Sequence, residues 1–309
     1  MGSGMAVSKS FVIWAERYLQ NKHFGKHQEC NTRCLIDKVT RFEDEHKHPM
    51  NIDSMTADDL RVFADFLSSD YDISMNTIVT NMTLMRTVCN WVRKQGVTNN
   101  DPFFGYDMPK ALYGTPYFLT IQERDQVLDA DLTDDAELAE YRDMFVFQCM
   151  VGCRHSDLVT FTPKNIIDGV LEYIPIKTKG KLGDVVRVPL IPKAMAILDG
   201  HDHGDDEPIF PKHYNFKFND AIRRILKRAK VNRVVTVINP KTRLEEKKPI
   251  SDVATSHLAR RTFIGNLYRM VKDPDLVASM SGHAKGSVAF ARYRVIDDDM
   301  KKSLVELIQ

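Results

Sequence analysis

Six glycines and prolines crowd into residues 96–116: Gly96, Pro102, Gly105, Pro109, Gly114 and Pro116. Few helices or central strands survive that density, because proline lacks an amide donor and glycine carries the largest backbone entropy. The stretch reads as a connector that divides the 309 residues into two folded parts, in keeping with about 150 residues per domain. With 43% hydrophobic and 28% charged residues, both parts have the material for a core. The expected organisation is an expression scar at 1–4 ahead of Met5, a helical domain over 5–106, a linker at 107–116 and a second domain over 117–309.

Helical spacing dominates the first domain. Phe11, Trp14, Ala15 and Tyr18 mark a helix over Ser10–Asn21, and Cys34, Leu35, Val39 and Phe42 mark another over His27–His46. Thr56 and Asp59 form a capping-box pattern ahead of Leu60–Leu67. Ile78, Met82, Met85, Val88 and Val92 give Asn76–Lys94 one apolar face.

Beyond the linker, Thr120 and Glu123 repeat the capping box, and a helix is expected across Leu138–Cys153. The period then shortens. Val170, Tyr173, Ile174 and Ile176 precede a Gly/Lys turn at Lys179–Gly183, and Val185, Val186, Val188 and Leu190 follow it, which predicts a β-hairpin. A basic helix over Phe216–Lys230, a strand pair at Val234–Ile238 and Lys247–Val253, and helical structure from Ser256 complete the reading. The predicted class is mainly α with small β-hairpins.

Charge excludes little. The formal net charge is +1, so a partner with a phosphate backbone would have to be met by basic residues gathered on one face. No apolar run of about 18 residues predicts a membrane span, and the start of the chain has no secretory pattern. Five cysteines without an export signal point to a reduced, cytoplasmic setting. Cys30/Cys34 and Cys149/Cys153 could each supply half a zinc site. No second half-site accompanies them, and small buried helix residues are the plainer reading.

Residues suited to anion binding and proton transfer recur at expected element boundaries. Arg154 lies in VGCRHSDL, Lys177 in PIKTKGK on the hairpin, His257 and Arg260 in SHLARRTF, His283 in MSGHAKG and Tyr293 in AFARYRV. Singly, each has a plain structural reading: a helix-end ion pair, a solvated face, a cap. In this order the set resembles the tyrosine recombinase, or phage integrase, family. The SHLARRTF and AFARY contexts are similar to integrases of conjugative transposons and phages from Bacteroidetes-type bacteria.

The resemblance implies a helical core-binding domain plus a mixed α/β catalytic domain, closing as a clamp around DNA. It implies a site-specific recombinase that cleaves and rejoins DNA through a covalent 3′-phosphotyrosine, in the integration or excision of a mobile element. Two other readings are a Xer-like chromosome-resolution enzyme and a non-catalytic DNA-binding protein on the same fold. A metal-dependent nuclease built on the ten histidines lacks a carboxylate–histidine cluster at ligand spacing. Arg154 and Arg260 would fork onto the phosphate. His257 would take the proton of the nucleophile Tyr293. By family implication, Lys177 would protonate the leaving 5′ oxygen and His283 would bind the scissile phosphate. Lys179 and Lys181 remain alternatives for the leaving-group role, and the His283–Tyr293 spacing of ten is one longer than the family's commonest. Asp157 is expected behind the site, orienting Arg154 or a histidine, and His155 at the surface or in a groove.

Arg223, Arg224, Lys227 and Arg228 on the basic helix, with Lys179, are candidate DNA contacts, a solvated face being the alternative. No cofactor and no metal is expected. The expected partners are double-stranded DNA carrying recombination sites and, on that DNA, three further copies in a homotetramer, with a monomer in its absence. The resemblance adds accessory DNA-bending or directionality factors to that set, and the setting would be the bacterial nucleoid. Met300, Leu304 and Ile308 predict an amphipathic tail helix, which would pack on its own domain or, as the resemblance implies, dock on a neighbouring subunit.

Overall fold

The computed structural model describes residues 9–22, 24–178, 185–201, 204–271, 273–283 and 305–306. The chain divides into two compact units, Met1–Tyr113 with Ile238–Glu245, and Gly114–Val237 with Glu246–Gln309.

The first unit is built on α1 (Phe11–Gln20), α2 (Lys26–His46), α3 (Ala57–Ser69) and α4 (Met75–Lys94). Its helix starts are chemically marked. Thr56 and Asp59 close a reciprocal capping box on α3, and Ser74 accepts from the Thr77 amide at the head of α4. Each satisfies donors that an open helix end leaves orphaned. The apolar faces meet in a core of Phe11, Leu35, Val39, Phe42, Leu60, Phe63, Met82, Met85 and Val88, all fully buried. Phe42 sets its ring edge-on to Phe63 at 5.4 Å, a favoured aromatic geometry. The returning segment Ile238–Glu245 sits in this unit, where the Pro240 carbonyl accepts from the Met75 amide at 3.2 Å and Lys241 pairs with Asp72.

The second unit is organised around one buried helix. It contains α5 (Ile121–Leu128), α6 (Ala136–Val151), α7 (His155–Leu158), β1 (Ile166–Ile167), β2 (Val170–Tyr173), β3 (Val186–Pro189), α8 (Pro192–Asp199), α9 (Asn215–Arg228), β4 (Val234–Ile238), β5 (Glu245–Pro249), α10 (Ile250–Val253), α11 (Ser256–Val271) and α12 (Pro274–Ser281). Every residue of α6 from Met144 to Val151 is buried, the signature of a helix enclosed on all sides. The helices α5, α8, α9 and α11 pack against it. An antiparallel sheet in the order β1-β2-β3 stands beside this bundle. Its register places Leu171 opposite Val188 and Tyr173 opposite Val186, so the apolar side chains share the covered face.

Four details differ from the sequence reading. The sheet gains the two-residue strand β1. Ile176 leaves the strand for a single 3-10 turn, Ile176–Thr178, because Pro175 interrupts the ladder before it. The short helix α8, opened by Pro192, was not anticipated. The last expected strand, Lys247–Val253, stops at Pro249, whose missing N–H ends the pairing and whose backbone serves as the N-cap of α10.

Among the described residues, no helix is long and apolar enough to cross a membrane, and no cluster of histidine, cysteine and carboxylate side chains could hold a metal. Cys149 and Cys153 are buried, with thiols pushed up by burial, as the plain reading expected. Cys30 and Cys34 are instead exposed on α2. The tail helix expected around Met300, Leu304 and Ile308 lies outside the described residues, apart from Val305 and Glu306.

Candidate active site

The site is assembled where α6 ends. Gly152 caps α6 in the left-handed region at φ 70°, a conformation glycine reaches without Cβ strain. A Cβ at this position would also stand 2.2 Å from Cδ1 of Phe263 on α11. Glycine is thus required twice, for the turn and for the close approach of α11.

That turn delivers Arg154 to the N-cap position of α7. Its Nη1 is buried and has no hydrogen-bond partner among the described residues. An unmatched buried donor on a guanidinium is costly, and an arriving anion would relieve it. Arg260, one turn into α11, is the largest fully buried side chain of the described residues, at 1% exposure. Its Nη1 donates to the Gly152 carbonyl at 2.7 Å, and its Nη2 lies 3.0 Å and 3.2 Å from the two ring nitrogens of His283.

His283 stands just after Gly282, the left-handed cap of α12. The buried Ser281 hydroxyl lies 2.9 Å from His283 Nδ1 and also reaches the Val277 carbonyl. The Ser281 hydroxyl and Arg260 Nη2 thus both stand at Nδ1, at 2.9 Å and 3.0 Å.

Electrostatics tie the remaining residues to this centre. Burial first, then the positive charges of Arg260, Arg154 and Lys177 together with His257, bring the His283 imidazole down to about 3. Burial first, then Arg261, Arg260, Arg154 and Lys177, bring His257 down to about 4. His257 keeps part of its surface in water, so the cationic field rather than complete enclosure is the more telling cause. Both rings are therefore neutral at pH 7. Lys177 is exposed on the turn Ile176–Thr178.

The structure therefore gathers Arg154, Lys177, His257, Arg260 and His283, five of the six residues singled out for chemistry, into one cationic cluster. Tyr293 lies outside the described residues, as do Lys179 and Lys181.

Asp157 has a different partner from the one expected. It is 1% exposed, and its Oδ1 accepts the Ile176 amide at 2.9 Å, while Oδ2 makes no hydrogen bond among the described residues. It anchors the turn that carries Lys177 rather than orienting Arg154 or a histidine, because α7 aims it at the end of β2. His155 is half-buried, stacked on Phe218 at 5.0 Å, and burial lowers its pKa. The four basic residues of α9 all face carboxylates. Arg224 pairs with Asp135 at 2.8 Å, Lys227 with Asp252 at 2.8 Å, Arg223 with Asp220 at 3.7 Å, and Arg228 with Asp134. Sequence reading missed the Gly152 carbonyl and the Ser281 hydroxyl. A glycine closing an apolar helix just ahead of Arg154 was a signal for the first, whereas nothing marked the second.

Residues 117–300 match the model of the Phage integrase family, and residues 10–108 match that of the Phage integrase SAM-like domain. No curated protein matches the chain. Among solved structures it is similar to the Tn1549 transposon integrase in complex with a circular intermediate DNA, with 15% identity, a TM-score of 0.73, and coverage of 97% of this chain and 100% of that one. It is also similar to a lambda integrase dimer bound to a COC′ core site, with 13% identity, a TM-score of 0.68, and coverage of 93% and 95%. A lambda integrase tetramer bound to a Holliday junction gives 13% identity, a TM-score of 0.65, and coverage of 92% and 76%. At these identities the likeness speaks for the fold. The match over 117–300, more than half of the sequence, together with the ordered cluster at the end of α6, makes this chain a member of the phage integrase family, the tyrosine recombinases.

Proposed function

We propose that the protein is a site-specific DNA recombinase that breaks and rejoins DNA through a 3′-phosphotyrosine at Tyr293, in the integration or excision of a mobile element. The observation that carries this reading is the convergence of Arg154, Lys177, His257, Arg260 and His283, with a buried guanidinium donor of Arg154 left for an incoming anion.

In this mechanism the scissile phosphate enters the cluster and accepts from the planar fork of Arg154, with the charge of the buried Arg260 beside it. The Tyr293 oxygen attacks phosphorus as its proton passes to neutral His257. The phosphorus–O5′ bond breaks, and Lys177 gives the departing oxygen a proton. His283 holds a phosphate oxygen and is itself held by Arg260 and Ser281. A 5′-hydroxyl from another duplex then attacks the phosphotyrosine, the tyrosine oxygen recovers its proton, and the cycle closes without external energy. Asp157 supports Lys177 through Ile176.

The partners that follow are double-stranded DNA carrying recombination sites and a homotetramer assembled on it. The similar solved integrases bound to a core site, a circular intermediate DNA and a Holliday junction support this part of the reading. A phosphate-gripping role for Arg223, Arg224, Lys227 and Arg228 would compete with their carboxylate partners.

A nicked suicide substrate incubated with the protein in EDTA tests the proposal. A covalent adduct on a denaturing gel is expected from the wild type and none from Tyr293→Phe, with DNA affinity retained. Binding without an adduct in the wild type would replace the enzyme with a non-catalytic DNA-binding protein.

A further inference from the structure

We infer that Asn219, assisted by Asn215, is a positioning residue that locks the start of α11 and so holds His257 at the reacting phosphate. The inference rests on the proposed recombinase reading and extends it to residues outside the cluster.

A helix leaves its first amide donors without partners inside the helix. At α11 the first of these, the Ser256 amide, donates to Oδ1 of Asn219 at 2.8 Å. The Ser256 hydroxyl donates to Oδ1 of Asn215 at 3.1 Å. Asn215 and Asn219 are four apart on α9, hence on one face of it. They grip one residue, Ser256, through its backbone and its side chain. Ser256 is 8% exposed and Asn219 is partly buried, which shields the amide bond, whereas Asn215 is exposed and gives the weaker, assisting contact.

The residue that follows is His257. Arg260, a turn later, has its own anchors in the Gly152 carbonyl and the His283 ring. The two functional side chains of α11 are therefore held from different directions. Arg260 is fixed by the end of α6, and His257 by the first turn that α9 clamps. Loss of the clamp would let that turn fray and shift His257 while Arg260 kept its place. Helix termini fray readily when their amides are unsatisfied, and a misplacement of about 1 Å can cost on the order of 10² in rate.

Asn219→Leu keeps the side-chain shape and deletes the acceptor, whereas Asn219→Asp keeps an acceptor oxygen. Adduct formation on the suicide substrate at saturating DNA is expected to slow about tenfold or more in N219L, within the range that misplacement costs. DNA affinity should stay within about twofold, and N219D should recover most of the rate. Hydrogen exchange at the Ser256 amide should quicken in N219L and not in N219D, a readout that needs no activity. Ser256→Pro is the independent variant. It removes the donor at a helix position where proline is well tolerated, and it should reproduce the loss even where N219L fails to fold. Wild-type rates in N219L or S256P, or an N219D protein as slow as N219L, would overturn the clamp. An absent adduct in the wild type would overturn the recombinase reading, and the clamp's catalytic purpose with it, whatever the variants do.

Discussion

Two sets of basic residues in the second unit live under different rules. On α9, Arg223, Arg224, Lys227 and Arg228 each look out at a carboxylate, and all four are at least partly exposed. At the end of α6, Arg154 offers a buried donor with no hydrogen-bond partner among the described residues, and Arg260 is spent on a carbonyl and an imidazole. Surface pairs of the first kind contribute about 0–1 kcal/mol and are screened by salt. Buried donors of the second kind carry a desolvation cost that only a ligand can repay. A positive residue in a sequence is therefore weak evidence of anion binding. A positive residue kept away from the abundant carboxylates is strong evidence, because 42 acidic side chains were available to neutralise it.

The sharpest way to break this contrast is Arg154→Lys, which keeps the charge and loses the fork. Adduct formation should fall by about 10² or more, with folding unchanged. A lysine variant that cleaves at the wild-type rate would place Arg154 in the same class as the α9 arginines. The next largest effect is on stability. Gly152→Ala must adopt a left-handed backbone and push its methyl into Phe263, which should cost about 3 kcal/mol in thermal or urea unfolding. A near-neutral result would mean that the end of α6 is not rigid enough to aim Arg154.

A smaller effect is expected from pH. His257 and His283 have folded values near 4 and 3, below the ordinary histidine range. Between the unfolded value of about 6.5 and these folded values, the unfolded chain binds more protons. Stability should therefore be full above about pH 6.5 and decline as the pH falls toward 4. His283→Asn should make the decline shallower in melts run from pH 7 to 4.5, and parallel curves would remove the cationic field from the account. The smallest effect is the other side of the comparison. Arg224→Ala and Arg228→Ala should each shift stability by less than about 1 kcal/mol and leave adduct formation within about twofold. A large loss of DNA affinity in either would return α9 to the DNA contacts.

The legibility of the chain follows the range of the interactions involved. Helix extents such as Phe11–Gln20 and Met75–Lys94, and the capping boxes at Thr56 and Thr120, are local and were readable within a residue or two. Reading failed where a proline redirected the chain at Pro175, Pro192 and Pro249, because the same residue can end a strand or begin a helix and only the neighbouring elements decide which. For the site, the order of motifs selected residues of which the fold brings Arg154, Lys177, His257, Arg260 and His283 together, while Tyr293 lies outside the described residues. Their supports were invisible. Asp157 meets the Ile176 amide across 19 residues, and Asn219 meets Ser256 across 37. A hydrogen bond between distant segments leaves no period and no composition signal in either.

Gly152 joins two demands that are separate in most enzymes. Its bare α-carbon admits Phe263 into the core, while its carbonyl holds Arg260. One residue is thus both a packing element and a support of the cationic cluster. For protein engineering this creates a shared bottleneck. Attempts to evolve a roomier or more thermostable interior around Phe263 would be filtered by recombination activity, and attempts to retune the phosphate pocket would be filtered by expression yield. Productive variants should therefore arise as paired changes at positions 152 and 263, seldom as single ones.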